Sequence, residues 1–380
     1  MTDETAVPGP AESVRPLELF FDLVFVFTIT QVASPLTVAP TLLGVGRMAV
    51  LLMLVWWMYA GYAWLTNALD LDRTGPRLLL LTAMAGFFLM SMAVPKAPGH
   101  GPWALILGAG YLLVVTVHLV GFIGTSGHRG IMRIGPLNLA SALVVLAAAA
   151  APPHARLWLW TLAAAMEVMT PLVTRASGFA VGAGHFVERH GLAVIIVLGE
   201  SITEVGAVTS RENSVTTSIL GALLALVLSA EMWWLYFGRE ERESEARLDR
   251  VPAGHRSRVA VYSFGYAYYV IIFGIVVAAV GMQKAIDEFL RPSHHLAALL
   301  LPLGTALYLS GLACFHRALA GSWPLPRILA ALATAALVTP AALWNSGAAA
   351  LATAVLALLA LIAWEAAEPA QPKLEEAPHT

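Results

Sequence analysis

The chain has 380 residues, 58% of them hydrophobic and 12% charged, with a mean hydropathy of +0.75; a soluble domain carries about 25% charged residues. That excludes an ordinary soluble protein and predicts an all-α polytopic membrane bundle, because apolar stretches of about 20 residues, enough to cross roughly 30 Å of hydrocarbon, recur from Leu17 to Trp364. The net charge of -2, the single Cys314 and the absence of a glycine-rich loop ending in Lys-Ser/Thr exclude an internal disulfide, a multi-cysteine metal site and a nucleic-acid partner.

Residues 1–14 read as a polar tail with no cleavable signal, so the first helix is expected to do the targeting. Hydropathy and polar breaks then predict twelve helices at 17–38, 45–66, 77–94, 103–123, 134–151, 156–174, 188–209, 215–237, 258–282, 296–315, 325–343 and 347–366. The segment 238–258 reads as a surface loop with a short solvated helix, and 367–380 as a second polar tail. On that count the 22 Lys and Arg split sixteen to six, with only Arg47, Lys96, Arg156, Arg211, Lys284 and Arg291 on the side away from the N-terminus. The positive-inside rule then puts both termini of this multi-pass protein in the cytoplasm.

Several short stretches recur in the same order. "ITQVAS" (29–34) returns as "ITEVGA" (202–207), "LVWWMYAGY" (54–62) as "AEMWWLYFG" (230–238), and "YLLVVTVH" (111–118) as "YLSGLACFH" (308–316). This order predicts two parallel six-helix repeats, 15–181 and 182–366, with a central site between them.

Acids inside the apolar helices mark that site, since a charge in hydrocarbon is expensive and needs protein or water around it. Arg15, Glu18 and Asp22 share one face of the first helix, where Arg15 is expected to neutralise one acid. In the seventh, Arg189 and Glu200 lie within about 20° of each other and about 16 Å apart along the axis, which puts Arg189 at the membrane edge and Glu200 near the middle. Glu204 is one turn beyond Glu200 on the same side, and Gly191 and Gly199 are expected to admit a close neighbour. In "HFVERH", His185 and Arg189 share a face with Glu188 and His190 beside them; as a zinc site it lacks a fourth ligand. Glu167, His118 and His316 are further embedded candidates, and Glu231 is expected at the headgroup belt beside Trp233 and Trp234. A histidine inside a bundle is more often hydrogen-bonded than a metal or haem ligand, so no cofactor is predicted and metal binding stays open.

"RPLELFFDLVFVFTITQ" and "VERHGLAVIIVLGESI" resemble the low temperature requirement protein A family, the LtrA membrane proteins of bacteria, and the likeness runs from about Arg15 to Trp364. By that resemblance Glu18, Phe21, Asp22, Phe25 and Gln31 match the first signature. Glu188, Arg189, Gly191, Leu198, Gly199, Glu200 and Ser201 match the second. The chain departs from the family in having Ser34 and Pro35 where histidines often follow the Thr-Gln pair, and Glu204 where an apolar residue is expected. The family name describes growth at low temperature and implies no settled activity. A fainter likeness joins "FDLVFVF" to the first-helix signature of the lysosomal potassium and proton channel family, which is also built from six-helix repeats.

The first reading is a proton- or cation-coupled transporter or ion-conducting protein that acts through Asp22 and Glu200, with Glu18, Arg189, Glu188, Gln31, Ser201 and Glu204 around them. The alternatives are a membrane-embedded enzyme or cofactor protein joining Glu200 to His118 or His316, and a structural or lipid-interacting protein. The sequence leans against an enzyme, gives membrane lipid and an unidentified small ion or molecule as partners, and allows a homo-oligomer.

Overall fold

Inside hydrocarbon every backbone amide and carbonyl needs an internal partner, so apolar stretches of this length become helices. The computed structural model describes residues 14–174, 179, 182–209 and 215–367, and those residues form helices and short connections only. Twelve continuous helices follow in chain order: α1 Pro16–Val38, α2 Leu42–Thr66, α3 Thr74–Ala93, α4 Trp103–Gly121, α5 His128–Ala150, α6 Pro153–Thr174, α7 Ala183–Thr209, α8 Val215–Arg250, α9 Ala253–Asp287, α10 His295–Ala320, α11 Leu325–Trp344 and α12 Gly347–Ala367. Among the described residues, eleven are long and apolar enough to cross a membrane; α7, with Glu188, Arg189, Glu200 and Glu204, is not one of the eleven. Residues 1–13 and 368–380 of the expected tails, residue 181 at the expected repeat boundary, and Arg175, Arg211 and Lys373 of the charge count lie outside the described residues.

Local chemistry sets several ends. Pro16 occupies the first turn of α1, where its missing N–H costs nothing, and Glu18 folds back to accept the Arg15 amide at 3.0 Å. The Thr41 hydroxyl accepts the Gly44 amide at 3.0 Å and caps α2, while Gly321, at φ +78°, closes α10 in the left-handed region.

The expected loop at 238–258 is a correction. Instead, α8 runs on through a π-helical turn, Tyr236–Glu240, into Glu241–Arg250. Glu240, Ser244 and Leu248, each one turn apart, are all buried, so this segment packs against the bundle along one face where a solvated linker was expected.

Helix neighbours follow one pattern twice. In the first half α1 touches α2 and α3, α3 touches α4, α4 touches α5, α5 touches α6, and α2 reaches back to α4 and α6. Six positions later α7 touches α8 and α9, α9 touches α10, α10 touches α11, α11 touches α12, and α8 reaches α10 and α12. Between the halves, α1 and α2 lie against α7 and α9. The tightest pair is α9 with α10: a Cβ on Gly281 would run into the backbone of Leu301, and one on Gly304 into Ala278. Small residues let membrane helices approach this closely, which is where their packing energy comes from.

Gly304→Val is therefore expected to destabilise the bundle by about 3 kcal/mol or more, the upper end of overpacking penalties. Thermal unfolding in detergent checks this. Gly199→Ala is the comparison, because nothing lies within 4 Å of a Cβ there, and it should leave the melting temperature unchanged or raised.

Candidate functional site

Two residues one turn apart on α1 meet two residues one turn apart on α7. Glu18 meets His185 and Asp22 meets Arg189, and further along Thr30 meets Glu200. The residue numbers rise together on both helices, so α1 and α7 run side by side in the same direction.

The first layer is ionic. Arg189 donates from Nη2 to Asp22 Oδ1 at 3.0 Å, and its Nη1 lies 3.4 Å from Glu18 Oε1. Tyr59, on α2, donates to the same Asp22 oxygen at 3.0 Å. His185 Nε2 lies 3.1 Å from Glu18 Oε2, which also accepts the Arg15 amide. Glu18, Asp22 and Arg189 are each 0% exposed, whereas the His185 side chain keeps 13%. The Phe21 and Tyr59 rings lie 5.6 and 5.8 Å from the guanidinium, within reach of a cation–π attraction. Glu18 Oε1 and Asp22 Oδ2 accept no hydrogen bond. Two carboxylates thus share one guanidinium, which fits the site for holding one more positive charge.

The second layer lies about 12 Å further along α1, eight residues at 1.5 Å each. There Thr30 donates to Glu200 at 2.8 Å, and Gln283 of α9 donates to Glu204 at 2.8 Å. Both glutamates are half-buried. Buried apolar side chains separate the layers: Phe25, Val26 and Ile29 on α1, with Ala193, Val194 and Val197 on α7. The sequence reading had Asp22 and Glu200 facing one shared space; the structure gives each its own partners in its own layer.

Other expectations are also corrected. The Arg15 guanidinium turns outward to Asp72 at 3.0 Å, because Arg189 already serves the acids of α1. Arg189, in the second turn of α7, is fully buried among its partners. Gly199 faces open space, whereas a Cβ on Gly191 would sit 2.8 Å from Glu241 Oε1, so only the second admits a close neighbour. Glu231 is 7% exposed while Trp233 and Trp234 are 42% and 57% exposed, so the acid is covered by the bundle and the aromatic pair is not. Glu188 is exposed, where it accepts the Val14 amide, Gln31 is half-buried, and Ser201 is buried with its hydroxyl on Val197 O.

The remaining candidates lie elsewhere. His118 bonds Gly61 O at 3.1 Å, and Glu167 accepts from Tyr111 at 3.1 Å and from Asn138 at 3.3 Å. His316 lies 3.1 Å from Glu240, so it shares no partner with His118. Arg327 holds that Glu240 at 2.8 Å and grips both oxygens of Glu365 at 2.6 and 3.1 Å. Sequence reasoning missed Tyr59, Glu240 and Arg327 as site-forming groups. An arginine and a glutamate at the ends of adjacent apolar helices were the available signal for the last cluster. Among the described residues no group of three or more His, Cys, Asp or Glu side chains is arranged to hold a metal ion.

Residues 13–363 match the description of the bacterial low temperature requirement A protein (LtrA). The chain belongs to the LtrA family. It is similar to an uncharacterized protein of Rhizobium meliloti (strain 1021), with 29% identity covering 82% of this chain and 77% of the relative. No solved structure matches the chain. In this LtrA protein the two sequence motifs are what build the ionic layer: Glu18, Phe21 and Asp22 come from one, and Arg189 from the other.

Arg189→Gln is expected to destabilise the protein by about 3–5 kcal/mol, the penalty for stranding a buried charge. Asp22→Asn should cost much less, since it leaves Glu18 and Arg189 balanced. Paired melting curves in one detergent check the order.

Proposed function

We propose that this LtrA-family membrane protein is a proton- or cation-coupled transporter or an ion-conducting protein that works through the acids of α1 and α7. One observation carries the reading: Glu18 and Asp22 share the single Arg189 guanidinium, fully buried between the two halves. With both acids ionised the layer is one positive charge short, and a lone buried charge costs several kcal/mol. The layer therefore takes up a proton or a cation, and His185, still partly exposed beside Glu18, is the group through which a proton arrives. Glu200 and Glu204 form a second acceptor layer deeper along the same helix pair, flanked by Gln31 and Ser201, while Glu188 marks the entrance.

The repeated neighbour pattern and the parallel course of α1 and α7 support reading the chain as two parallel six-helix repeats, 15–181 and 182–366. The sixteen-to-six split of basic residues supports an inner-membrane protein with both termini in the cytoplasm. The reading needs no cofactor. An enzyme joining Glu200 to His118 or His316 is disfavoured, because each of the three has a different partner.

The test is proton and monovalent-cation flux into liposomes carrying the native protein, Asp22→Asn or Glu200→Gln. Removing one charged hydrogen-bonding partner, worth roughly 1.5–3 kcal/mol, should slow flux about ten- to a hundred-fold in each variant. Native-like flux in both variants, or none from the native protein across the ion panel, rejects the reading.

A further inference from the structure

On the face where α1 begins, the start of α9 and the end of α10 flank an open groove of about 460 Å3, within the roughly 300–1,000 Å3 of small-molecule pockets. Tyr262, Tyr266 and Val270 line one wall from a single stripe of α9, and Cys314 of α10 lies in the other. Tyr266 is fixed there by donating its hydroxyl to Val168 O at 2.6 Å. Trp323, 58% exposed, stands at the end where α10 closes.

Arg258 and Arg317 belong to the same groove, one in the second turn of α9 and one in the last turn of α10. Among the described residues neither is paired with a carboxylate, and Arg258 rests 6.0 Å from the Tyr262 ring. On this face Arg15, Arg73, Arg77, Arg247 and Arg256 each hold an aspartate or glutamate, while among the described residues Arg129 and Arg250, both exposed and away from the groove, share with Arg258 and Arg317 the lack of one. The groove thus has two uncommitted guanidiniums at its mouth and an apolar wall running from Arg258 to Val270, about 18 Å for twelve residues. Tyr262, 41% exposed, leaves that wall open to the surroundings.

We propose that this groove holds one anionic phospholipid, with the phosphate between Arg258 and Arg317 and an acyl chain along the stripe of α9. Guanidinium pairs suit phosphate because their donors form a planar fork, and basic clefts between membrane helices recognise anionic headgroups on this principle. A free anion would use the arginines but not the apolar wall, so lipid is the occupant that explains both. The site is separate from the ionic layer between α1 and α7 and does not depend on its role.

Native mass spectrometry of the full chain, released from a mixture of zwitterionic and anionic phospholipids with identical acyl chains, tests the proposal. The native protein is expected to retain one anionic lipid in preference to the zwitterionic one. Each guanidinium near a lipid headgroup is worth about a five-fold gain, so the Arg258→Gln, Arg317→Gln pair should bind about 30-fold more weakly. Cys314→Trp, which fills the apolar wall and leaves both arginines, should also lose the adduct, whereas Arg73→Gln should keep it. Equal retention of the two lipids by the native protein overturns the proposal without reference to any variant. So does an unchanged adduct in the glutamine pair, and full retention in Cys314→Trp overturns the placing of the acyl chain along this wall.

Discussion

A guanidinium buried out of reach of water has to find its counter-charges within the protein, and Arg189 finds them on a helix 167 residues earlier in the chain. This one demand fixes much else. It brings α7 against α1 in a common direction, sets the register of Glu18 with His185 and Asp22 with Arg189, and draws Tyr59 of α2 into the same cluster. The stacking of Phe25 on Tyr59, with ring centres 3.8 Å apart, then seals the layer on its inner side. Breaking the ion pair would strand charges on both halves at once, so the halves are joined where their chemistry is concentrated.

The halves share a plan and differ in its charge. In the first, the glutamate of the sixth helix, Glu167, is satisfied by a tyrosine and an amide. In the second, Glu365 of the twelfth helix meets an arginine, and the network extends through Arg327 to Glu240 and His316. His118 and His316 show the same divergence: each leaves the fourth helix of its half for the second, but one finds a backbone carbonyl and the other a carboxylate. That cluster joins α8, α10, α11 and α12 through Arg327 and Glu240, whereas Glu167 and His118 of the first half meet a tyrosine and a backbone carbonyl.

Helix number was readable because hydrocarbon leaves a chain few alternatives, and a 20-residue apolar run announces its own structure, while the polar extension of α8 to Arg250 was not. That Glu18, Asp22, Arg189 and Glu200 must find partners was readable for the same reason, because a charge is costly where they stand. Their partners were not. Nothing local distinguishes Arg15 from Arg189 as the counter-charge of Asp22, since the choice depends on how two distant helices pack. Local spacing also misled. Glu231 and Trp233 are two residues apart yet face opposite ways, because two residues turn a helix through about 200°. The polar stretch after Gly238 looked solvated by composition, while its one-turn periodicity at Glu240, Ser244 and Leu248 already described a packed face.

The π-helical turn of α9, Val261–Ala267, lies against the other half of the molecule, where the Trp56 indole donates to Gly265 O at 2.9 Å. A π turn is in effect an α-helix with one residue inserted, and that extra residue is accommodated by hydrogen bonds that skip a position. Were the indole withdrawn and the turn to revert to regular α geometry, everything beyond it would advance by one residue, about 1.5 Å of rise and 100° of rotation. Gln283, and with it the hold on Glu204, sits on that downstream stretch. The extra residue of this turn therefore sets the rotational phase in which α9 presents Gln283 to Glu204, at the place where Trp56 of the other half is bonded to it.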